Sequence, residues 1–507
     1  MARVLIREGS SGIIEIQGLG IRETYFPDND LDRTLELLFR LYELKSANGK
    51  RFLDNYHYQG FNWLSTQVGN LYWRFLFRHV QYARLIARFR KKGLTPCFAN
   101  KVNLARIWEL LHPRTRTGLK DYLPYRRTLP THNRKIVRQK TSGLFFYRYG
   151  PRDFRTTDML RVFEDKGLEF HFVYSPSKKL LKKRQDQPHP VYFLYRKIKT
   201  KRIFQNNYDL SGLPGPEAEL FRAAIQRVEE NMSFQVWEYH KHLENLKTAA
   251  PKVFFGLDDH QEVHPILFAC KALGIPSIGY QLGMYARRQA AYMLERWEPG
   301  TYQWYDHVIV WGRYWEDVIR RYSKVYPEGF FLPGANKHDY GYKRLKSDKF
   351  STKNILIPYE FWGNTQRIGR YMTKLMDLGF RVYFKFKPDE RPERQLACYG
   401  LDPEYAKRLV HVERITDELM AEINIVAGGM TTLLYDLLPY GKHTWVLDTE
   451  FKLLQDMVED GLAELVRYED LESLAEPEQA DKTMDYTYIF NQTPLEDVLA
   501  EHVLSKL

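Results

Sequence analysis

The segment Asn424–Leu438 reads N-I-V-A-G-G-M-T-T-L-L-Y-D-L-L. An apolar run with Ile423, Ile425 and Val426 as buried-strand positions stops at Gly428-Gly429. Thr431 and Thr432 follow, and then an apolar stripe at helical spacing: Leu433, Leu434, Leu437 and Leu438. The pattern predicts a strand-to-helix turn almost without side-chain bulk. Gly428 and Gly429 permit backbone angles that residues with a Cβ avoid, and Thr431 or Thr432 caps the helix. Such a turn presents N–H groups at the positive end of a helix dipole, which suits an anion. It is equally what a tight, hydroxyl-capped βα turn requires, so the surrounding chain has to decide.

Outward from this segment the chain alternates between short β-like runs and amphipathic helices. Strand-like runs occur at Leu144–Tyr147, Leu168–Tyr174, Val191–Tyr195, Val253–Leu257, Ser277–Tyr280, His307–Val310 and Phe330–Leu332. A long helical pattern covers 216–248. A charged, apolar-poor segment at 343–354 reads as a linker, after which the alternation restarts: Ile355–Pro358, Arg381–Phe386, Leu409–Val412, Ile423–Ala427 and Thr444–Leu447. Strands alternating with helices predict α/β units around parallel sheets. The fold expected is two Rossmann-like, doubly wound domains facing across a cleft, at 143–342 and 343–507, preceded by an α+β module at 1–142. In such sheets ligands bind beyond the carboxyl ends of the strands. The first module carries an aromatic-rich amphipathic stretch at 60–90, which is either a packed helix or an aromatic wall facing an acceptor or a membrane.

At 507 residues the chain is long enough for two or three domains. Its net charge of +13 favours anionic partners: nucleic acid, phospholipid or a phosphorylated substrate. Aromatic residues make up 15%, enough for sugar or base stacking but equally a core-filling resource. Cys97, Cys270 and Cys398 are isolated, which supports neither a zinc site nor a disulfide framework and fits a reducing cytoplasm. No apolar signal core or membrane-spanning run is present.

The strand ends of the second domain carry the candidate chemistry. Ile355–Pro358 ends at Tyr359-Glu360, Arg381–Phe386 at Lys387, Leu409–Val412 at Glu413, and the next strand at Gly428-Gly429 with Thr431 and Thr432 beyond. Lys385 and Lys387 share one face of their strand. A lysine near a hydroxyl-lined turn is a reasonable phosphate site. Three segments, K-F-K-P-D-E (385–390), G-G-M-T-T-L-L-Y-D-L-L-P-Y-G-K (428–442) and L-P-G-A-N-K-H-D (332–339), resemble motifs of GT-B glycosyltransferases. The resemblance is to bacterial capsule and surface-polysaccharide enzymes, including CMP-sugar-using sialyl- and Kdo-type transferases. Asp389 stands where these often have histidine. The resemblance implies that Lys387, Thr431 and Thr432 hold donor phosphate and that Glu413 lies near the ribose or base.

In the first α/β domain, V-F-F-G-L-D-D-H-Q-E-V-H-P (253–265) ends a strand in Asp258-Asp259. Carboxylates at a strand mouth suit a general base for a sugar hydroxyl, and they suit a helix N-cap as well. The segment S-I-G-Y-Q-L-G-M-Y-A-R-R (277–288) resembles a Q-H-G motif of the same enzymes with Leu282 in place of histidine. Gln281, Tyr285 and Arg288 are expected to line the cleft, together with His264 and with Arg148 from the glycine-flanked loop at 145–155. The alternative is a βα turn with solvated arginines. Basic runs at 177–184 and 195–202 either dock on anionic lipid or form a solvated surface.

These features lead to an expected inverting glycosyltransferase with Asp258 or Asp259 as base and no metal or cofactor. Its donor is a nucleotide-sugar, a CMP-linked acidic sugar among the candidates. Its acceptor is a surface-polysaccharide or lipid-linked glycan, and it is expected in the cytoplasm, peripheral on the inner face of the membrane. The same fold also serves a CDP-polyol phosphotransferase of teichoic-acid type or an inactive paralogue acting as a binding protein. No nucleic-acid-reading element is visible, so nucleic acid is not an expected partner.

Overall fold

The computed structural model describes residues 2–8, 14–18, 21–25, 31–98 and 130–137, and the chain from 143 onward except 152, 177–188, 197, 199, 259–260, 302–303, 335–352, 361–364, 388–391, 450 and 475–485. The linker at 343–354, most of the basic runs, Asp259 and Asp389 therefore lie largely or wholly outside the described residues.

The N-terminal module is α+β. Strands β1 (Ala2–Glu8), β2 (Ile14–Gly18) and β3 (Ile21–Tyr25) precede helix α1 (Leu31–Tyr42). A short hairpin, β4 (His57–Tyr58) and β5 (Phe61–Asn62), leads through a π-helical stretch (Asn70–Leu76) into α2 (Phe77–Lys91) and β6 (Leu94–Phe98). The sheet order is β3-β2-β1-β6, with only the β1–β6 pair parallel. The aromatic stretch at 60–90 is packing: Phe61, Trp63, Leu64, Tyr72 and Phe75 are buried. Phe61 stacks on Phe268 of the next domain with ring centroids 4.5 Å apart.

The first large sheet holds β7 (Leu144–Tyr147), β8 (Phe170–Tyr174), β9 (Val191–Phe193), β10 (Val253–Leu257), β11 (Ser277–Tyr280), β12 (His307–Val310) and β13 (Phe331–Pro333). Its order is β13-β12-β11-β10-β7-β8-β9, and every neighbouring pair is parallel. Residues of β7 and β10 are buried throughout, as expected for strands covered on both faces. Helix α3 (Thr157–Asp165) follows β7, and the long α4 (Gly215–Ala249) precedes β10. Pro216 sits in the first turn of α4. The helix ends at Ala250, whose φ of 44° is left-handed, and Pro251 then prevents continuation. Helix α5 (His264–Ala272) packs along α4, and α6 (Arg313–Tyr322) follows β12.

The second sheet holds β14 (Asn354–Pro358), β15 (Arg381–Lys385), β16 (Val410–Val412), β17 (Ile425–Gly428), β18 (His443–Leu447) and β19 (Glu464–Val466). Its order is β16-β15-β14-β17-β18-β19, again all parallel. Helix α7 (Thr365–Asp377) follows β14, a four-residue helix α8 (Leu433–Asp436) follows β17, and α9 (Gln455–Glu459) follows β18. The final helix α10 (Leu495–His502) leaves this domain. The sequence pattern places residues 343–507 in one domain. In the structure the last part of that range crosses back: Tyr488 and Ile489 carbonyls accept from Tyr314 N–H and Trp315 Nε1, both at 2.9 Å, and Glu496 pairs with Lys166.

Each sheet reverses direction once, between β7 and β10 in the first and between β14 and β17 in the second. Loops from the carboxyl ends of both sheets meet. Asp456 in α9 accepts from Arg287 N–H at 2.9 Å and from the Tyr322 hydroxyl at 2.6 Å. Trp315 of α6 packs on Tyr435 of α8 with centroids 4.8 Å apart. Arg288 bonds Asp32 of α1 at 2.8 Å and the Lys452 carbonyl at 3.2 Å, joining all three modules. Among the described residues no helix is long and apolar enough to cross a membrane.

Candidate functional site

The two reversal points are where an open α/β sheet gathers ligands. At the second, β17 runs out at Gly428 and the chain turns through Gly429, Met430 and Thr431. The N–H groups of Gly429, Met430 and Thr431 converge on one oxygen, Oε1 of Glu360, at 2.8, 3.1 and 3.2 Å. Glu360 follows the neighbouring strand β14 and is 3% exposed. Its main chain is held on both sides by Tyr399, whose hydroxyl accepts from Glu360 N–H at 2.7 Å and donates to its carbonyl at 3.2 Å. Burial pushes the Glu360 carboxyl up to about 7, against the opposing pull of the three N–H groups. The turn is therefore an anion site, as its composition suggests, but the anion it holds here is the protein's own.

The glycines make this approach feasible. A Cβ on Gly428 would lie 2.5 Å from Glu360 Oε1, and one on Gly429 would lie 2.9 Å from Thr449 Oγ1. Thr431 provides the local cap, its Oγ1 accepting from Leu433 N–H at 3.2 Å, whereas Thr432 makes no side-chain cap bond.

The remaining second-domain candidates spread along the same rim. Lys387 follows β15, one strand beyond Glu360, with its side chain exposed. The buried Gln395 amide clamps its main chain, accepting from Lys387 N–H at 2.8 Å and donating to its carbonyl at 2.9 Å. At about 4.8 Å per strand, Lys387 and the Gly428 turn are separated by roughly 10 Å of sheet. Lys385 departs from expectation: its ammonium donates to the adjacent Phe386 carbonyl, and burial lowers its pKa. Tyr359 is half-buried, its ring 6.1 Å from that of Tyr399. Glu413 is exposed beyond the edge strand β16, three strands from the glycine turn.

The first reversal point looks different. Asp258 follows β10 and is 1% exposed. Its Oδ1 accepts from Leu282 N–H at 3.0 Å and its Oδ2 from the Tyr285 hydroxyl. Gln281 donates to the Gly283 carbonyl at 2.9 Å and accepts from Trp311 N–H at 2.8 Å. Asp258, expected as the base, and Tyr285, expected to line the cleft, brace the 281–288 loop from within, whereas Gln281 braces the loop and also lines a small pocket with Arg155, Asp158 and Leu495. Arg148 likewise is buried. It donates to Thr156 Oγ1 at 2.7 Å and the Asp153 carbonyl at 3.0 Å, closing the loop between β7 and α3. Asp153 is partnered by Arg155 at 2.7 Å; burial alone would raise its carboxyl, but this pair and two N–H bonds hold it below the usual range. His264 lies buried against Trp304, centroids 5.0 Å apart, and Arg288 ties modules together as described. In each case a polar residue near a strand end found its partner in its own loop or in a neighbouring module. Asp32, Tyr399 and Asp456 are functional to the architecture, and nothing in their sequence neighbourhood distinguishes them from surface residues.

Two doubly wound parallel sheets whose carboxyl-end loops meet, with a final helix returning to the first, constitute the GT-B arrangement. No protein-family model matches the sequence, and no curated protein is significantly similar to it. Solved structures are similar in part. CalG4, the calicheamicin glycosyltransferase, has a TM-score of 0.43 at 12% identity over 73% of this chain and 99% of its own. UDP-GlcNAc 2-epimerase from Methanocaldococcus jannaschii, in complex with UDP-GlcNAc and UDP, gives 0.40 at 12% identity over 71% and 99%. Acinetobacter baumannii MurG gives 0.38 at 13% identity over 66% and 87%. At TM-scores below 0.5 and identities this low, the likeness supports no inference about activity. Among the described residues no cluster of three or more His, Cys, Asp or Glu is arranged to hold a metal ion.

Proposed function

We propose that this protein is a glycosyltransferase that moves a sugar from a nucleotide-sugar donor to a surface-polysaccharide or lipid-linked glycan acceptor. The observation that carries this reading is the convergence of three successive main-chain N–H groups on one carboxylate oxygen at the second reversal point. A turn that concentrates donors in this way suits a phosphate oxygen equally well. The exposed Lys387 adds a positive charge on the same rim. Negative charge grows on the leaving phosphate as the glycosidic bond breaks, and fixed donors aimed at it lower the barrier. The reading uses these groups, with the Thr431 and Thr432 hydroxyls, and calls on no metal. A CMP-linked acidic sugar is one candidate donor among nucleotide-sugars.

The base for inverting displacement is assigned to the Asp258-Asp259 pair. Since both Asp258 oxygens already accept hydrogen bonds, the greater part of that role falls to Asp259. An acceptor linked to lipid would bring the protein to the inner membrane face through the basic runs at 177–202. Binding to vesicles containing anionic phospholipid, lost when those lysines and arginines are neutralised, tests this.

A second reading, a sugar- or nucleotide-binding protein without turnover, is favoured by Glu360 itself, which takes the N–H groups a donor phosphate needs. Thermal shift with CMP, CDP, UDP and GDP separates the readings when coupled to donor hydrolysis. Stabilisation by one nucleotide, weakened in Lys387→Ala, together with slow donor hydrolysis lost in Asp259→Asn, supports the transferase. Stabilisation without any hydrolysis supports the binding protein. No response to any nucleotide sinks both.

A further inference from the structure

Glu360 stands in an unbalanced position. Its Oε1 accepts three main-chain N–H groups, whereas its buried Oε2 has no hydrogen-bond partner among the described residues. The glycines at 428 and 429 open the space for the carboxyl, since any Cβ there would collide with it or with Thr449. Only the main chain of Glu360 is clamped, by Tyr399, and its side chain is anchored through the turn alone. Of the elements packed around it, the segment between β15 and β16 brings the Tyr399 phenol, the turn brings N–H groups and the Thr431 hydroxyl, and β18 leads to Thr449. No described cation acts on the carboxyl, and the nearby Lys385 ammonium is spent on the Phe386 carbonyl. A charge-assisted bond to main-chain N–H groups is strong, but a buried carboxyl without a counter-charge gives much of that back to desolvation.

We propose that Glu360 is an internal anion that competes with a donor phosphate for the Gly429, Met430 and Thr431 N–H groups, so that phosphate enters this turn only as the Glu360 side chain swings out. The proposal rests on the reading of this turn as the donor-phosphate site. It makes Glu360 a determinant of anion affinity rather than a ligand for the donor. Burial places the carboxyl close to neutrality, so mild acidification weakens its hold and favours the incoming anion.

The test uses the full chain and two probes. Inorganic pyrophosphate binding at pH 8 is measured by calorimetry for wild type, Glu360→Gln and Glu360→Ala. Sulfate, which does not titrate between pH 6 and pH 8, is measured at both pH values. Both variants are expected to bind pyrophosphate at least about tenfold tighter than wild type. Wild type is expected to bind sulfate several-fold tighter at pH 6 than at pH 8, with Glu360→Gln flat. Glu360→Gln preserves shape and serves if Glu360→Ala fails to fold. Folded variants that bind pyrophosphate no tighter than wild type overturn the proposal; if the nucleotide response through Lys387 persists, the transferase reading survives that result. Tighter pyrophosphate binding with no response to any nucleotide upholds the competition and removes the donor reading.

Discussion

The two reversal points share one topology and resolve it in opposite ways. Each follows two parallel strands that part in opposite directions, and each places a buried carboxylate at the gap: Asp258 in the first sheet, Glu360 in the second. Asp258 spends both oxygens, one on a main-chain N–H and one on a tyrosine hydroxyl, and so pins its own loop. Glu360 crowds three N–H groups onto one oxygen and leaves the other without a partner among the described residues. A fully satisfied carboxylate is a brace. A half-satisfied one is a place where a better-matched anion can take over. The same strand-end geometry thus yields a structural clamp in one domain and a candidate binding site in the other.

The comparison breaks most severely if Asp258 is removed. Asp258→Ala leaves the Leu282 N–H and the Tyr285 hydroxyl buried without an acceptor, and is expected to destabilise by about 4 kcal/mol in chemical unfolding. Tyr285→Phe removes one of the two bonds and is expected to cost about half as much. Should Asp258→Ala unfold at the wild-type denaturant concentration, the brace interpretation is wrong.

Glu360 predicts the opposite sense. Its pKa is raised from 4.5 to about 7 in the folded protein. A carboxyl with a raised folded-state value contributes fully below pH 4.5, and its contribution is lost as pH climbs to about 7. The loss is about 3 kcal/mol. Glu360→Gln should therefore match wild type near pH 4.5 and exceed it in stability at pH 8. Burial holds His242 and His171 neutral, at about 3 and about 4, and they bend both curves the other way below pH 6.5. Subtracting the two proteins isolates Glu360. A variant less stable than wild type at pH 8 would mean that the three N–H bonds outweigh burial.

The interface between the sheets gives a smaller effect. Asp456→Ala leaves the Arg287 N–H and the Tyr322 hydroxyl unpaired at the domain contact, and is expected to cost about 2 kcal/mol because both donors can reach water once the contact loosens. Differential scanning calorimetry should show the transition broadening as the two domains uncouple. Smallest in stability is Lys387→Ala. The side chain is exposed, so unfolding should move by less than about 0.5 kcal/mol, while nucleotide affinity falls about tenfold, equivalent to about 1.4 kcal/mol of binding.

Much of the architecture was legible from the residues. The β7, β10, β11 and β12 segments are read from sequence with the ends the structure has, since buried parallel strands are continuous apolar runs bounded by polar residues. The edge strand β19 was missed because Glu464–Val466 is exposed at two of its three residues and so shows no apolar run. From composition the glycine turn reads either as an anion site or as a hydroxyl-capped βα turn. That its anion is Glu360, 69 positions away in the chain, composition does not show.

Periodicity along the chain, together with the Gly-Gly break, determined that there are two doubly wound sheets and where their polar rims fall, because burial on both faces dictates residue type locally. Which polar groups on those rims pair with each other was decided only by the tertiary structure. Asp258 with Tyr285, Arg288 with Asp32 and Glu360 with the glycine turn each join residues far apart in sequence, and a hydrogen bond depends on position in space to within a few tenths of an ångström. Residue type alone announces a donor or an acceptor; only the folded chain says whether its partner is already inside.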